Sequence, residues 1–314
     1  MVSAVPVAFF LMKRKTEDSY RRVLSHMREN FLNWNFTTIT TDYEVGLVNA
    51  IRAVFPEARH IGCWFHFCQA IWRYVVAEGL TALIRADFEV KKVVKMLMAL
   101  PHLPPHPGPP HDDRVPPYGI ADGLNAISNY IDEGNLDRRL QNAVAYVRRY
   151  WVGVIGVESL STFQAPRRTN NHLESFHSRM LAAFGVNLDI WSFLRRLRTI
   201  EAKAFGSLQR ADRGNRERMR DRSGPENNSD IIRSGLRRLV RQEVTLINFL
   251  ALLAHCVDNI VDMGLQENDI DNEYKPAPLP SMQSNEYAIH TGMVPVAVIS
   301  VVAFFIFIHF LAHS

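Results

Sequence analysis

The first eighty positions switch between two hydrophobic periods. Val5–Met12 is a short apolar run closed by Lys13, Arg14 and Lys15, the pattern of a buried strand. Thr16–Asn30 then sets Tyr20, Val23, Leu24 and Met27 on one helical face. Phe36–Thr41 reads FTTITT, a β-branched strand. Glu44–Phe55 spaces Leu47, Ile51, Val54 and Phe55 as a helix, ended by Pro56. Arg59–Trp64 is a second short strand. Phe65–Val76 is helical again, with Phe67, Ile71, Tyr74 and Val75 in phase and Gly79 as its stop. This β-α-β-α order predicts a layered α/β unit.

Helical periodicity dominates beyond it. Thr81–Leu100 reads as one helix. Pro101–Pro117 holds eight of the sixteen prolines, so no regular element is expected there. Gly119–Tyr150 reads as two helices parted near Gly134. Arg167–Asn171 is a polar turn, whose Asn170 or Asn171 can cap a helix reaching Phe184. Asp189–Ala211 is a basic helix, Arg213–Asp230 a linker and Ile231–Met263 a long apolar helix. Val294–Ala312 runs 19 residues with only Ser300 and His309 polar, about one bilayer crossing. It reads as a membrane-spanning helix or as a buried one, and its net-acidic flank supplies no excess of basic charge to orient it. Val5–Met12 is too short, and its basic residues too late, for a signal peptide.

Composition narrows the classes. With 314 residues, 47% hydrophobic and 22% charged, the chain can bury a core as one large domain or two ordinary ones. The net charge of +4 leans towards a polyanionic partner. Three cysteines, Cys63, Cys68 and Cys256, argue against a disulfide framework and fit a reducing compartment. Basic charge concentrates from Arg195 to Arg222, with ten Arg/Lys against four acids. Such a stretch suits phosphate tracking, or is simply a solvated face.

Three short segments carry candidate chemistry. Asp42 ends the second strand, where α/β sheets hold ligands. Thr41-Asp42-Tyr43-Glu44 also fits a T-x-x-E capping box, so on spacing alone Asp42 reads first as part of a helix cap. Cys63 and His66 are spaced C-x-x-H; with Cys68 and His60 they are too crowded for a standard closed zinc site, and alone Cys63 reads as a small core residue and His66 as a satisfied polar group near a helix start. In RRTNNHLESFHSRM, residues 167–180, Glu174 falls in a first helical turn favoured by the dipole. His177 is one turn on, and Arg167 and Arg168 precede it in a turn suited to phosphate contacts.

Taken together and in this order, the segments resemble the MULE (Mutator-like element) transposase domain, a DDE-type family with an RNase H-like core. Val5–Met12 resembles the strand before the family's second acid, and Thr41-Asp42-Tyr43-Glu44 the segment carrying that acid. Gly62-Cys63-Trp64-Phe65-His66-Phe67 resembles its C-x-x-H signature, and Arg168-Thr169-Asn170-Asn171-His172-Leu173-Glu174-Ser175 the segment of its third acid. The resemblance implies an α/β fold: an incomplete RNase H-like core over 1–205 with a helical insertion at about 81–150. It is followed by a basic linker at 206–230, a helix at 231–265, an acidic linker at 266–292 and the candidate transmembrane helix at 293–312.

The same resemblance implies that Asp42 and Glu174 are catalytic and hold Mg²⁺ or Mn²⁺. Hard cations take oxygen ligands, so Cys63 and His66 would shape the site or contact DNA, in a role the motif leaves open. DNA is the implied partner, through Arg167, Arg168, Arg195, Arg196 and Arg198, and a homo-oligomer is a further expectation. The family's first aspartate lies upstream of a strand like Val5–Met12, and the chain starts at Met1. The expectation is therefore an N-terminally truncated, catalytically impaired transposase relative. The alternatives are a non-catalytic DNA-binding protein and a tail-anchored membrane protein. The implied location is the nucleus in the DNA-directed readings and a membrane in the last.

Overall fold

The computed structural model describes residues 4–30, 37–110, 112–165, 168, 189–212, 228–270 and 300–307. Along the chain the elements begin with β1 (Ala4–Met12), α1 (Glu17–Asn30), β2 (Thr38–Thr41), α2 (Val45–Val54), β3 (Arg59–Gly62) and α3 (Trp64–Ala77). Next come α4 (Thr81–Ala86), α5 (Phe88–Ala99), α6 (Ile120–Glu133), α7 (Arg139–Tyr146), a π-helical stretch Val147–Gly156 and α8 (Val157–Leu160). The last are α9 (Ile190–Asp212), α10 (Asn228–Val240), α11 (Leu246–Leu253), α12 (Asp258–Ile270) and β4 (Ser300–Phe307). The fold is mixed α/β with much helix, and its strands, among the described residues, form two two-stranded sheets.

The chain divides into two compact units, one of residues 1–32, 170–224 and 294–314, the other of residues 33–169 and 225–293. In the first, β1 pairs antiparallel with β4, with a register shift between Pro6 and Ala8. Proline cannot donate to a ladder, which accounts for an irregularity at that point. The expected helix over 293–312 is thus corrected across 300–307, where the chain is a strand. Residues 300–307 read SVVAFFIF, all β-branched or aromatic apart from Ser300 and Ala303. An apolar run of that kind extends readily when an equally apolar strand is its partner. Helix α9 belongs to the same unit and packs on β1.

In the second unit β2 and β3 are parallel, joined through α2, in the register Thr38↔Arg59 to Thr41↔Gly62. The helical layer beside them forms one core. Phe67, Ile71 and Val75 of α3 meet Val93 and Leu97 of α5, Leu124 and Ile127 of α6, and Phe249 and Leu250 of α11, all at most 1% exposed. Each such side chain contributes roughly 1.5–3 kcal/mol by leaving water.

Two expected helices are interrupted. Thr81–Leu100 breaks at Asp87, whose backbone is extended and whose carboxylate accepts from the amides of Glu89 and Val90. A side chain that caps the following helix stops the one before it. Residues 231–265, expected as one helix, are three segments. Gln242 adopts a positive φ of 57°, Thr245 caps α11, and a 3₁₀ turn at Ala254–Val257 leads into α12. The run Leu246–Gln266 has the length and apolarity to cross a membrane, yet Phe249, Leu250, Leu253, Val257 and Val261 are fully buried in the protein's own core. The linker expected at 206–230 is helical to Asp212 and again from Asn228.

Candidate functional site

The parallel register builds the site. Thr41 and Gly62 are the last residues of their ladder, so Asp42 and Cys63 leave the two strand ends side by side. The Cys63 amide donates to the Thr41 carbonyl (2.9 Å), which continues the pairing by one step. Helix α3 starts at Trp64, so His66 is one turn beyond Cys63 and returns to the same face. Its Nδ1 lies 2.9 Å from Asp42 Oδ1. The ligand atoms of Asp42, Cys63 and His66 all lie within 4.8 Å of one another.

The three groups differ in setting. Cys63 is fully buried. The Asp42 side chain is 49% exposed and that of His66 31%, so the cluster opens to solvent on the carboxylate side. Burial acts to lower the His66 pKa, but its hydrogen bonds to Asp42 and Cys63, with their charge, raise it to about 10.

A second polar chain fixes the backbone beneath Asp42. The Arg52 guanidinium donates to Ser159 Oγ (2.8 Å), and Ser159 Oγ is 2.9 Å from His60 Nδ1. His60 Nε2 is 2.8 Å from Thr41 Oγ1, which donates to the Asp42 carbonyl (2.8 Å). Thr41 has one proton to give, so His60 Nε2–H must be the donor to it and Nδ1 the acceptor. Burial first, then the Arg52 charge, lowers the His60 pKa to about 4 and keeps the ring neutral, as this chain requires.

Aromatic packing holds the start of α3. Trp64 Nε1 donates to the Met98 carbonyl (2.8 Å), and its ring meets His102 edge-on at 4.5 Å. Tyr43 lies against Gly62 and meets Trp151 edge-on at 4.7 Å.

The capping reading of Asp42 is corrected. The N-cap of α2 is Glu44, with no side-chain cap hydrogen bond, and Thr41 is engaged by His60 instead. Arg168 is half-buried, with Nη2 2.6 Å from Ser229 Oγ; its carbonyl accepts from the Trp64 amide (2.9 Å). Burial lowers its pKa. Arg195, Arg196 and Arg198 are exposed along α9. Arg167, Glu174, His177 and the cap at Asn170 or Asn171 lie outside the described residues. Arg52 and Ser159 are absent from the motif-based set, which His60 enters only as part of the crowded Cys/His group. The one sequence signal for them is a histidine inside a short strand, which asks for buried polar partners.

The donor set at Asp42 can be tested against the metals that the resemblance implies. Mg²⁺ and Mn²⁺ want several oxygen ligands in octahedral order. Among the described residues the cluster offers one carboxylate beside an imidazole and a thiol. That set does not fit a hard cation.

No curated protein and no solved structure matches the chain. The segment that carries β1, β2, β3, Asp42, Cys63 and His66 does have a counterpart: residues 1–70 match the family model of the MULE transposase domain, a family that implies divalent metals and DNA.

Proposed function

We propose that this is a transposase-derived protein that binds DNA, in which Asp42 and Glu174 stand at the positions of two acids of a DDE strand-transfer site. The observation that carries this reading is the convergence of Asp42 with the C-x-x-H pair at the ends of two parallel strands, inside the matched segment. Ligands of open α/β sheets gather at that end of the strands. The RNase H-like character of the core and a nuclear location belong to the same proposal. Strand cleavage is impaired in it, because among the described residues Asp42 faces a thiol and an imidazole rather than further oxygens.

DNA contact is assigned to the exposed face of α9, where Arg195, Arg196 and Arg198 lie close together on one helix. The test is binding of the full chain to duplex DNA across a salt series. The expected log K falls linearly with log salt, and neutralising the three arginines reduces the slope by up to about three units. Salt-independent binding, or an unchanged slope, removes the reading. A parallel assay with Mg²⁺ and linear DNA is expected to show no cleavage. Cleavage abolished by Asp42→Asn would restore a catalytic site in place of an impaired one.

A further inference from the structure

We propose that Asp42, Cys63 and His66 form a binding site for a single borderline-soft divalent cation of the zinc class. The geometry is the first support. One carboxylate oxygen, one imidazole nitrogen and one thiol sulfur lie within 4.8 Å of one another. Ligand atoms of a four-coordinate zinc ion, bound at about 2.0–2.3 Å, stand roughly 3–4 Å apart. With the Asp42–His66 pair at 2.9 Å and every pair within 4.8 Å, the cluster closes on an ion by side-chain shifts of up to about 1–2 Å.

Donor chemistry is the second support. Imidazole and thiolate select zinc-class ions over magnesium, whereas a carboxylate serves both. The third is rigidity. Cys63 is held by the hydrogen bond its amide donates to the Thr41 carbonyl, α3 by the hydrogen bond from Trp64 Nε1 to the Met98 carbonyl, and the Asp42 backbone by the Thr41–His60–Ser159–Arg52 chain. Ligands fixed in this way lose little freedom on binding.

Cys68 is the nearest competing thiol in sequence. It is fully buried, its Sγ is engaged by the Met98 carbonyl at 3.8 Å, and it is not among the ligand atoms that lie within 4.8 Å of one another. Among the described residues three protein ligands are on hand, and the half-exposed carboxylate leaves a fourth position open on the solvent side. Such an ion would occupy the Asp42 carboxylate and keep it from an oxygen-ligated metal.

The inference does not rest on DNA binding, and its test needs no DNA. Metal-free full-length protein is titrated with Co²⁺ as a spectroscopic stand-in, then with Zn²⁺ in competition. The expected result is one equivalent of cobalt with a thiolate-to-metal charge-transfer band, displaced by Zn²⁺. That band is lost in Cys63→Ser, persists in Cys256→Ala, and needs at least about tenfold more metal in His66→Gln. X-ray absorption on the unmodified zinc-loaded chain should show one sulfur among nitrogen and oxygen ligands, a readout that survives a variant's failure to fold. Absence of the band in the unmodified chain overturns the site. So does a band intact in folded Cys63→Ser. Failure here with DNA binding intact refutes the metal site alone; the converse refutes the DNA reading alone.

Discussion

At the scale of single residues, two buried histidines set the pH response. His60 is held near a pKa of 4 and His102 near 3, by burial first and then by the charges of Arg52 and Arg168 respectively. Both values lie below the ordinary 6.5, so the folded state binds fewer protons than the unfolded one. Their contribution is whole above pH 6.5 and is lost as pH falls from there through 4 and 3. Denaturant midpoints are expected to drop steeply between pH 6.5 and 4, and His60→Gln should flatten that drop. A midpoint constant over this range would contradict the neutral-histidine chain. Gly62 is the second residue of this kind. A Cβ there would stand 1.9 Å from Tyr43 Cε1, and that ring is wedged against Trp151. Gly62→Ala should cost about 1–3 kcal/mol by overpacking, read as a lower unfolding midpoint.

At the scale of elements, junctions matter more than helix interiors. Asp87 ends one helix and caps the next, so Asp87→Ala should lose about 0.5–2 kcal/mol and leave the flanking helices less distinct. Asp87→Asn, which can still accept from the amides, should recover most of that loss. Hydrogen exchange at Glu89 and Val90 separates the two variants. The β2–α2 junction behaves differently. Its sequence suits a capping box, yet Thr41 is drawn to His60 from the neighbouring strand. A cap is a local contact of modest strength, and a buried histidine whose Nε2 has Thr41 as its partner among the described residues costs more to leave unsatisfied.

At the scale of the whole molecule, the second unit depends on a core that joins distant parts of the chain. Phe249 is fully buried against residues more than a hundred positions away, so Phe249→Ala should cost about 3–5 kcal/mol. Circular dichroism on heating should show the loss as an early unfolding transition. A change under 1 kcal/mol would mean that 246–253 is peripheral to that core.

The sequence alone determined the alternation of strands and helices over the first eighty residues, the proline-rich break and the basic helix. Each is a local consequence of periodicity and turn chemistry. It also carried the resemblance to a family whose model matches residues 1–70, a match that ends well before the segment around Glu174. Tertiary structure decided the rest. Asp42 and Cys63 are 21 positions apart in sequence, and only the parallel register Thr41↔Gly62 brings them level. His60 was visible as a residue, but Ser159 became its partner only through packing of α8 on β3. The apolar run at 300–307 suits a helix or a strand by hydropathy, and its pairing with β1 selected the strand. Periodicity records which face a residue takes within its own element, whereas site geometry depends on which elements meet, and that is settled by burial across the whole chain.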